Sequence, residues 1–284
     1  MEQDQKIKIA LAQFAATEDL EANLVKGESM AGEAARAGAS FCGFTELAFR
    51  RFFPQHRADA QYFEWAETLD GPTVTRFLSI AKEAGIDCAA NFFERAGGGR
   101  FYDTTVICRS NGQVLGPVRM MHTAEEPGYN EKYYYWAGDT PPLVFDLGYA
   151  KIGVAICYDR HFPEYTRALV LQGADIIFSP FAGLVEDPLD MYEIEMQGLA
   201  FQSQVFVACV NRVGQEEIST FAGSSFVVAP DGHVLRRAPR DKEHLLVADL
   251  DISEIEKCRI KRPFLRDRRS RFYREFLQEK SLVK

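Results

Sequence analysis

The sequence predicts a single α/β domain over residues 1–284. Strand-like and helix-like segments alternate from end to end, with no Pro/Ser/Gly-rich linker or low-complexity stretch between them. Ile152-Gly153-Val154-Ala155-Ile156 is apolar throughout, the pattern of a strand covered on both sheet faces. A length of 284 residues suits one large unit or two modest ones. The missing linker selects one.

The elements follow in order. Ile7 to Phe14 alternates like a strand. An Ala/Glu-rich helix over 19–37 stops at Gly38, and a short apolar strand, Phe41-Cys42-Gly43-Phe44, runs into Thr45-Glu46. Pro72 opens a second helix with Val74, Phe77, Leu78 and Ala81 on one face, closed by Gly85. Strands are expected at 86–93, 104–108, 114–119 and 152–156. A helix begun by Pro163 ends by Gly173, before the strand 176–178. A helix near 190–204 leads into the strand 205–210. Asp231-Gly232 marks the turn between strands 224–229 and 233–237, and a last strand covers 245–250.

Composition closes off several classes. No apolar run approaches the roughly 18–20 residues that cross a bilayer, and the polar start Met1-Glu2-Gln3-Asp4-Gln5 lacks a secretory signal pattern. The six cysteines, at 42, 88, 108, 157, 209 and 258, never form a CxxC pair, and the five histidines show no HExxH spacing. The expectation is a reduced, cytoplasmic protein with no metal and no organic cofactor. The net charge of −8 hides an asymmetry: residues 259–284 carry a balance of +7, the remainder −15. A basic tail on an acidic body raises nucleic acid, membrane or partner binding as questions.

Two positions could carry chemistry. Cys157 ends a buried strand and precedes a helix start, where backbone N–H donors and the positive helix end favour a thiolate and an anionic intermediate. A cysteine after such an apolar run fits a core position as well. Glu46, flanked by Phe44, Leu47 and Phe49, is either a capping or ion-paired carboxylate or a general base whose pKa burial raises.

The surroundings of the two form a series. Phe44-Thr45-Glu46-Leu47-Ala48-Phe49 and Cys157-Tyr158-Asp159-Arg160-His161-Phe162-Pro163-Glu164 resemble the glutamate and nucleophile motifs of the nitrilase superfamily of carbon–nitrogen hydrolases. The resemblance continues through Gly71-Pro72-Thr73, Tyr129-Asn130-Glu131-Lys132-Tyr133, Gly138-Asp139-Thr140, Gly173-Ala174-Asp175, Asn211-Arg212-Val213-Gly214 and Phe264-Leu265-Arg266-Asp267-Arg268-Arg269, nearly the whole chain. It implies a four-layer α-β-β-α sandwich and a Glu–Lys–Cys triad that opens amide, carbamoyl or nitrile carbons through a covalent acyl-enzyme. By motif, Glu46 is the base, Cys157 the nucleophile and Glu131 a second glutamate that orients groups in the pocket. The backbone N–H of Tyr158 is an oxyanion donor.

One part of the triad is missing. Relatives read approximately Tyr-Arg-Lys-x-His where this chain has Val118-Arg119-Met120-Met121-His122, so Met120 holds the lysine position. A thioether carries no charge and donates no hydrogen bond; losing one oxyanion donor costs about 10²–10³ in rate. Lys132 matches a Glu-Lys pair that relatives carry besides their catalytic lysine. Arg119, next to Met120 on a strand, faces the opposite side. His122, two positions on, faces the same side and would donate if protonated; otherwise it is a structural histidine near a turn.

Three readings are compatible with this. The chain is a hydrolase of non-peptide C–N bonds with an altered oxyanion site, a degenerate member that binds a small amide or acylated ligand, or a thiol acyltransferase. The motif context of both Glu46 and Cys157 favours chemistry. The Glu131-Lys132 context looks more like the amidase and carbamoyl-hydrolase branches than the nitrile branch. Glu186, Asp187, Asp190 and Glu193 either form an acidic rim for cationic amides or a solvated helix start. The tail residues 259–284 resemble a segment that lies along the sandwich and the dimer contact. Phe264, Leu265, Phe272, Tyr273 and Phe276 suit packing on protein, which points to a homodimer or higher homo-oligomer, and to neither nucleic acid nor membrane.

Overall fold

A computed structural model describes residues 6–276; Met1 to Gln5 and the end of the basic tail lie outside them. Two six-stranded sheets form the centre. The first runs in the order His244–Asp251, Lys6–Gln13, Phe41–Phe44, Asp87–Ala96, Arg100–Cys108, Val114–Arg119. Its middle strands, Lys6–Gln13, Phe41–Phe44 and Asp87–Ala96, are parallel. The second runs Val234–Arg237, Phe226–Val228, Phe206–Asn211, Ile176–Phe181, Lys151–Val154, Val144–Asp146, again with three parallel strands inside.

Alternation along Lys6–Gln13 sets the layers. Ile9 and Leu11 join the core between the sheets, while Ala10 and Ala12 join a second cluster with Leu24, Met30, Phe77 and Ile80 of the helices Leu20–Arg36 and Pro72–Ala84. Leu169, Met196 and Ala200 bring the helices Pro163–Leu171 and Leu189–Ser203 onto the other sheet. The result is the expected α-β-β-α sandwich. The sheets meet closely at Gly43, where an added Cβ would lie 2.2 Å from the Phe178 ring. Only glycine fits there.

Most elements sit within a residue or three of their expected bounds. The strand expected at 152–156 stops at Val154 because the chain leaves the ladder for the turn that carries Cys157. The strand expected at 104–108 begins at Arg100, since Gly98 and Gly99 adopt positive φ and fold it back on its neighbour. The short turns Phe53–Gln55 and Ala60–Trp65 were not expected, nor were the hairpin Val213–Glu216/Ser219–Ala222 and the helices Ser253–Lys261 and Ser270–Phe276. Among the described residues no helix is long and apolar enough to cross a membrane.

The tail meets the body at Phe264, whose ring lies 5.5 Å from that of Phe201, with Arg262 over the same ring. Leu265 packs on the main core. Phe272 and Tyr273 are partly exposed in the single chain, and the side chain of Phe276 lies outside the described residues.

Candidate active site

The candidate groups gather just past the ends of parallel strands of both sheets. Glu46 stands two residues past Phe41–Phe44, and Cys157 three past Lys151–Val154. Glu131 enters from the short helix Glu131–Tyr134. One carboxylate oxygen of each glutamate and Sγ of Cys157 lie within 4.8 Å of one another, all buried. Among the described residues this is also the one cluster close enough to hold a cation.

Backbone strain marks the cysteine. Cys157 has φ 44°, in the left-handed region that a side chain disfavours, at the head of the single-turn helix Cys157–His161. Such strain persists only where surrounding contacts hold it. Asp159 supplies one of them: its carboxylate accepts the backbone N–H of Met121 at 3.2 Å and of His122 at 2.9 Å. The turn is thereby tied to the end of the strand Val114–Arg119. The backbone N–H of Tyr158 accounts for no hydrogen bond among the described residues and opens the same turn.

Glu46 is fixed through its main chain. Thr45 Oγ1 donates to Phe181 O at 2.7 Å, and Leu47 N donates to Asn91 Oδ1 at 2.7 Å. Arg212, fully buried, donates to the carbonyls of Glu46, Leu47 and Arg50 at 2.8, 2.7 and 2.9 Å. Its charge is met by Glu216, which also accepts the Phe52 N–H. The side-chain oxygens of Glu46 are left without a donor, as are Glu131 Oε1, Asp103 Oδ2 and the Tyr135 hydroxyl. Glu131 Oε2 accepts from Ala124 N at 2.7 Å, which leaves Oε1 for the pocket.

Protonation follows from this crowding. Burial pushes Glu46 well above the usual carboxylate range, and the neighbouring Asp103 and Glu131 add to it. Burial likewise raises Asp103 to about 7 and Glu131 to about 8. Three dry carboxyls cannot all ionise together, so the cluster retains a shared proton. The Cys157 thiol is pushed up by burial and then by Glu46, while Arg160 and the Ala182 N–H pull it down. A base raised in this way takes a thiol proton at smaller cost than an ordinary carboxylate.

The remaining sequence candidates separate. Met120 is fully buried in the central core and contributes no charge. Lys132 is exposed. Arg119 binds Glu94 and Asp139, as the alternation argument required. His122 does not reach the thiol; its Nδ1 lies 2.7 Å from Asp159 Oδ1 and its ring stacks 3.6 Å from Phe162. Of the four carboxylates read as either an acidic rim or a solvated helix start, two are paired on the surface. Asp190 pairs with Arg240 and Glu193 with Arg237, and only Asp187 lines the pocket beside Cys157, 2.5 Å from the Tyr129 hydroxyl. Asn91 and Asp103 escaped the sequence reading, and Tyr135 and Arg160, though within its motifs, were given no role. Asn91, a lone amide in the apolar run 88–93, was the one visible signal.

The chain matches the carbon-nitrogen hydrolase family model over residues 8–260. It is 36% identical to N-carbamoylputrescine amidase of Solanum lycopersicum, covering 97% of this chain and 96% of that protein. It is 33% identical to citrullinase of Francisella tularensis subsp. tularensis over 96% of this chain and 99% of that one. A carbon-nitrogen hydrolase structure from Helicobacter pylori G27 superposes with a TM-score of 0.91 at 27% identity, covering 97% and 99% of the two chains. With its glutamates and cysteine gathered at the strand ends of an α-β-β-α sandwich, this chain belongs to the carbon–nitrogen hydrolase family.

Proposed function

We propose that the protein hydrolyses a small N-carbamoyl compound or aliphatic amide through a thioester on Cys157. The observation that carries this reading is the clustering of Glu46, Glu131 and the Cys157 thiol within 4.8 Å in a buried pocket. Glu46 takes the Sγ proton, and the sulfur electron pair forms a C–S bond as the carbonyl π pair moves to oxygen. Collapse of that oxyanion breaks the C–N bond, and the proton on Glu46 leaves with ammonia or amine. Water repeats the sequence and frees the thiol. Glu131 positions the substrate nitrogen through Oε1, and the Tyr158 N–H meets the oxyanion.

The name of one relative, N-carbamoylputrescine amidase, supports N-carbamoyl compounds as the substrate class. The protein acts as a homodimer in the cytoplasm on this reading, with the tail residues near Phe264 beside the dimer contact. The test is ammonia release across aliphatic amides, N-carbamoyl compounds and nitriles, with Cys157→Ala as control. Release that requires Cys157 supports the proposal. No release from any member overturns it in favour of a ligand-binding role.

A further inference from the structure

The loss of the lysine leaves an electrostatic question at the thiol. Cys157 faces Glu46 and Glu131, and burial together with these two carboxyls works against a thiolate. The nearby cations of the middle motif are engaged elsewhere: Arg119 with Glu94 and Asp139, His122 with Asp159. Arg160 is not. Its Nη1 donates to the Cys157 carbonyl at 2.7 Å and lies 3.8 Å from Sγ.

The rest of its surroundings are unusual for a cation. Arg160 is 5% exposed, with its guanidinium 4.6 Å from the Phe181 ring centre and 5.0 Å from that of Tyr192. Cys209, Tyr129 and Tyr192 are the other titratable groups that face it, and Glu126, Glu131, His161, Asp187, Arg167 and Glu195 line the cavities on either side. No carboxylate among the described residues forms an ion pair with it. A guanidinium stays protonated in any protein setting, so it cannot escape burial by losing its charge. A buried charge without a counter-ion is strongly unfavourable, and an anion forming at contact distance relieves that cost. The groups placed to become that anion are the Cys157 sulfur and the substrate oxygen that develops beside it.

We propose that Arg160 is a catalytic residue that supplies the positive charge absent at Met120, holding the Cys157 thiolate and then the tetrahedral oxyanion. This rests on Cys157 being the nucleophile. Arg160 keeps its proton throughout; Glu46 accepts the Sγ proton and later returns it to the leaving nitrogen. Arg160 contributes N–H donors and a fixed charge whose worth is high because the pocket is dry. The charge thus enters from the turn that carries the nucleophile, three residues downstream, and not from the neighbouring strand end.

The experiment is the pH profile of Cys157 alkylation by iodoacetamide, located by peptide mass, together with ammonia release and melting temperature. It compares the wild type, Arg160→Gln, Arg160→Lys and the double variant Met120→Lys/Arg160→Gln. Arg160→Gln is expected to move the alkylation midpoint up by about one pH unit or more and to lower kcat/KM by about 10²–10³. Arg160→Lys is expected to keep the midpoint nearer the wild type. The double variant is expected to regain about tenfold or more in ammonia release, which a purely structural arginine would not permit. A wild-type midpoint in folded Arg160→Gln, or no gain in the double variant, overturns the proposal. Should Arg160→Gln not fold, Arg160→Lys decides: a midpoint shifted by less than about half a unit supports the role, and a larger shift overturns it. If no amide or carbamoyl compound is hydrolysed, the reading of the enzyme fails, while the alkylation profile still reports on Arg160 and Cys157.

Discussion

Asp159 Oδ1 lies 2.7 Å from His122 Nδ1 and also accepts the His122 backbone N–H at 2.9 Å. This double contact joins the turn that displays Cys157 to the chain just past the strand Val114–Arg119. The two walls of the pocket are fixed by a carboxylate two residues beyond Cys157. Asp159→Ala removes that tie and leaves the N–H groups of Met121 and His122 without their acceptor. A loss of about 2–4 kcal/mol in unfolding free energy is expected, read by urea titration. His122→Ala, which keeps both backbone bonds, costs about 1 kcal/mol. Equal losses for the two variants would contradict this division.

Arg212 provides a second prediction. It holds the main chain of Glu46 with three carbonyl contacts from a fully buried position, balanced by Glu216. Arg212→Met leaves Glu216 buried without its partner and is expected to cost about 3–5 kcal/mol. Glu216→Gln retains an acceptor and should cost less. Thermal unfolding of both variants checks the order.

Stability should also depend on pH through Glu131. Its carboxyl, ordinarily near 4.5, is raised to about 8 in the folded protein by burial. Between those values the folded chain keeps a proton that the unfolded chain has released. Unfolding therefore releases a proton, and stability falls as pH rises through this window. Asp103, raised to about 7, contributes the same sign over a narrower span. Denaturant unfolding at about pH 5 and about pH 8 should show a larger drop for the wild type than for Glu131→Gln. An equal or larger drop in the variant would contradict the assignment.

On the correspondence proposed from the sequence, Met120→Lys supplies a charge at the family's lysine position. If Arg160 already carries the anion, the gain in ammonia release is about tenfold or less, well short of the 10²–10³ that a missing donor represents. Steady-state kinetics measure it directly. A gain beyond about 10² would show that the wild-type site works without an effective cation.

The tail yields a fifth test. Phe264 meets Phe201 edge to face and Leu265 packs on the core, whereas Phe272 and Tyr273 are partly exposed on the single chain. If the proposed self-association runs through the tail, removing residues 259–284 should lower the melting temperature and weaken assembly in sedimentation experiments. Unchanged assembly would count against that proposal.

Much of this molecule was legible in its sequence, for identifiable reasons. Glycine and proline punctuation placed the helices Leu20–Arg36 and Pro72–Ala84 almost to the residue. Continuous apolar runs located the parallel strands that end at Glu46 and Cys157. What could not be read were contacts between elements distant in sequence. Arg212 reaches Glu46 across 166 positions, and Asp103 comes beside Glu46 only because their strands lie in one sheet. His122 shares the strand alternation of Met120, but a tertiary partner, Asp159, turned it away from the thiol. Arg160 was in plain view within the nucleophile motif. Its significance depends on a side-chain path back to Cys157 that no spacing rule predicts.

The most direct test of the central claim traps the covalent intermediate. The wild type is mixed with an N-carbamoyl compound or amide that it hydrolyses, quenched in acid, and its peptides are weighed. The account predicts the substrate's acyl or carbamoyl fragment on Cys157, with neither fragment nor ammonia from Cys157→Ala. Ammonia release by Cys157→Ala at the wild-type rate would contradict it.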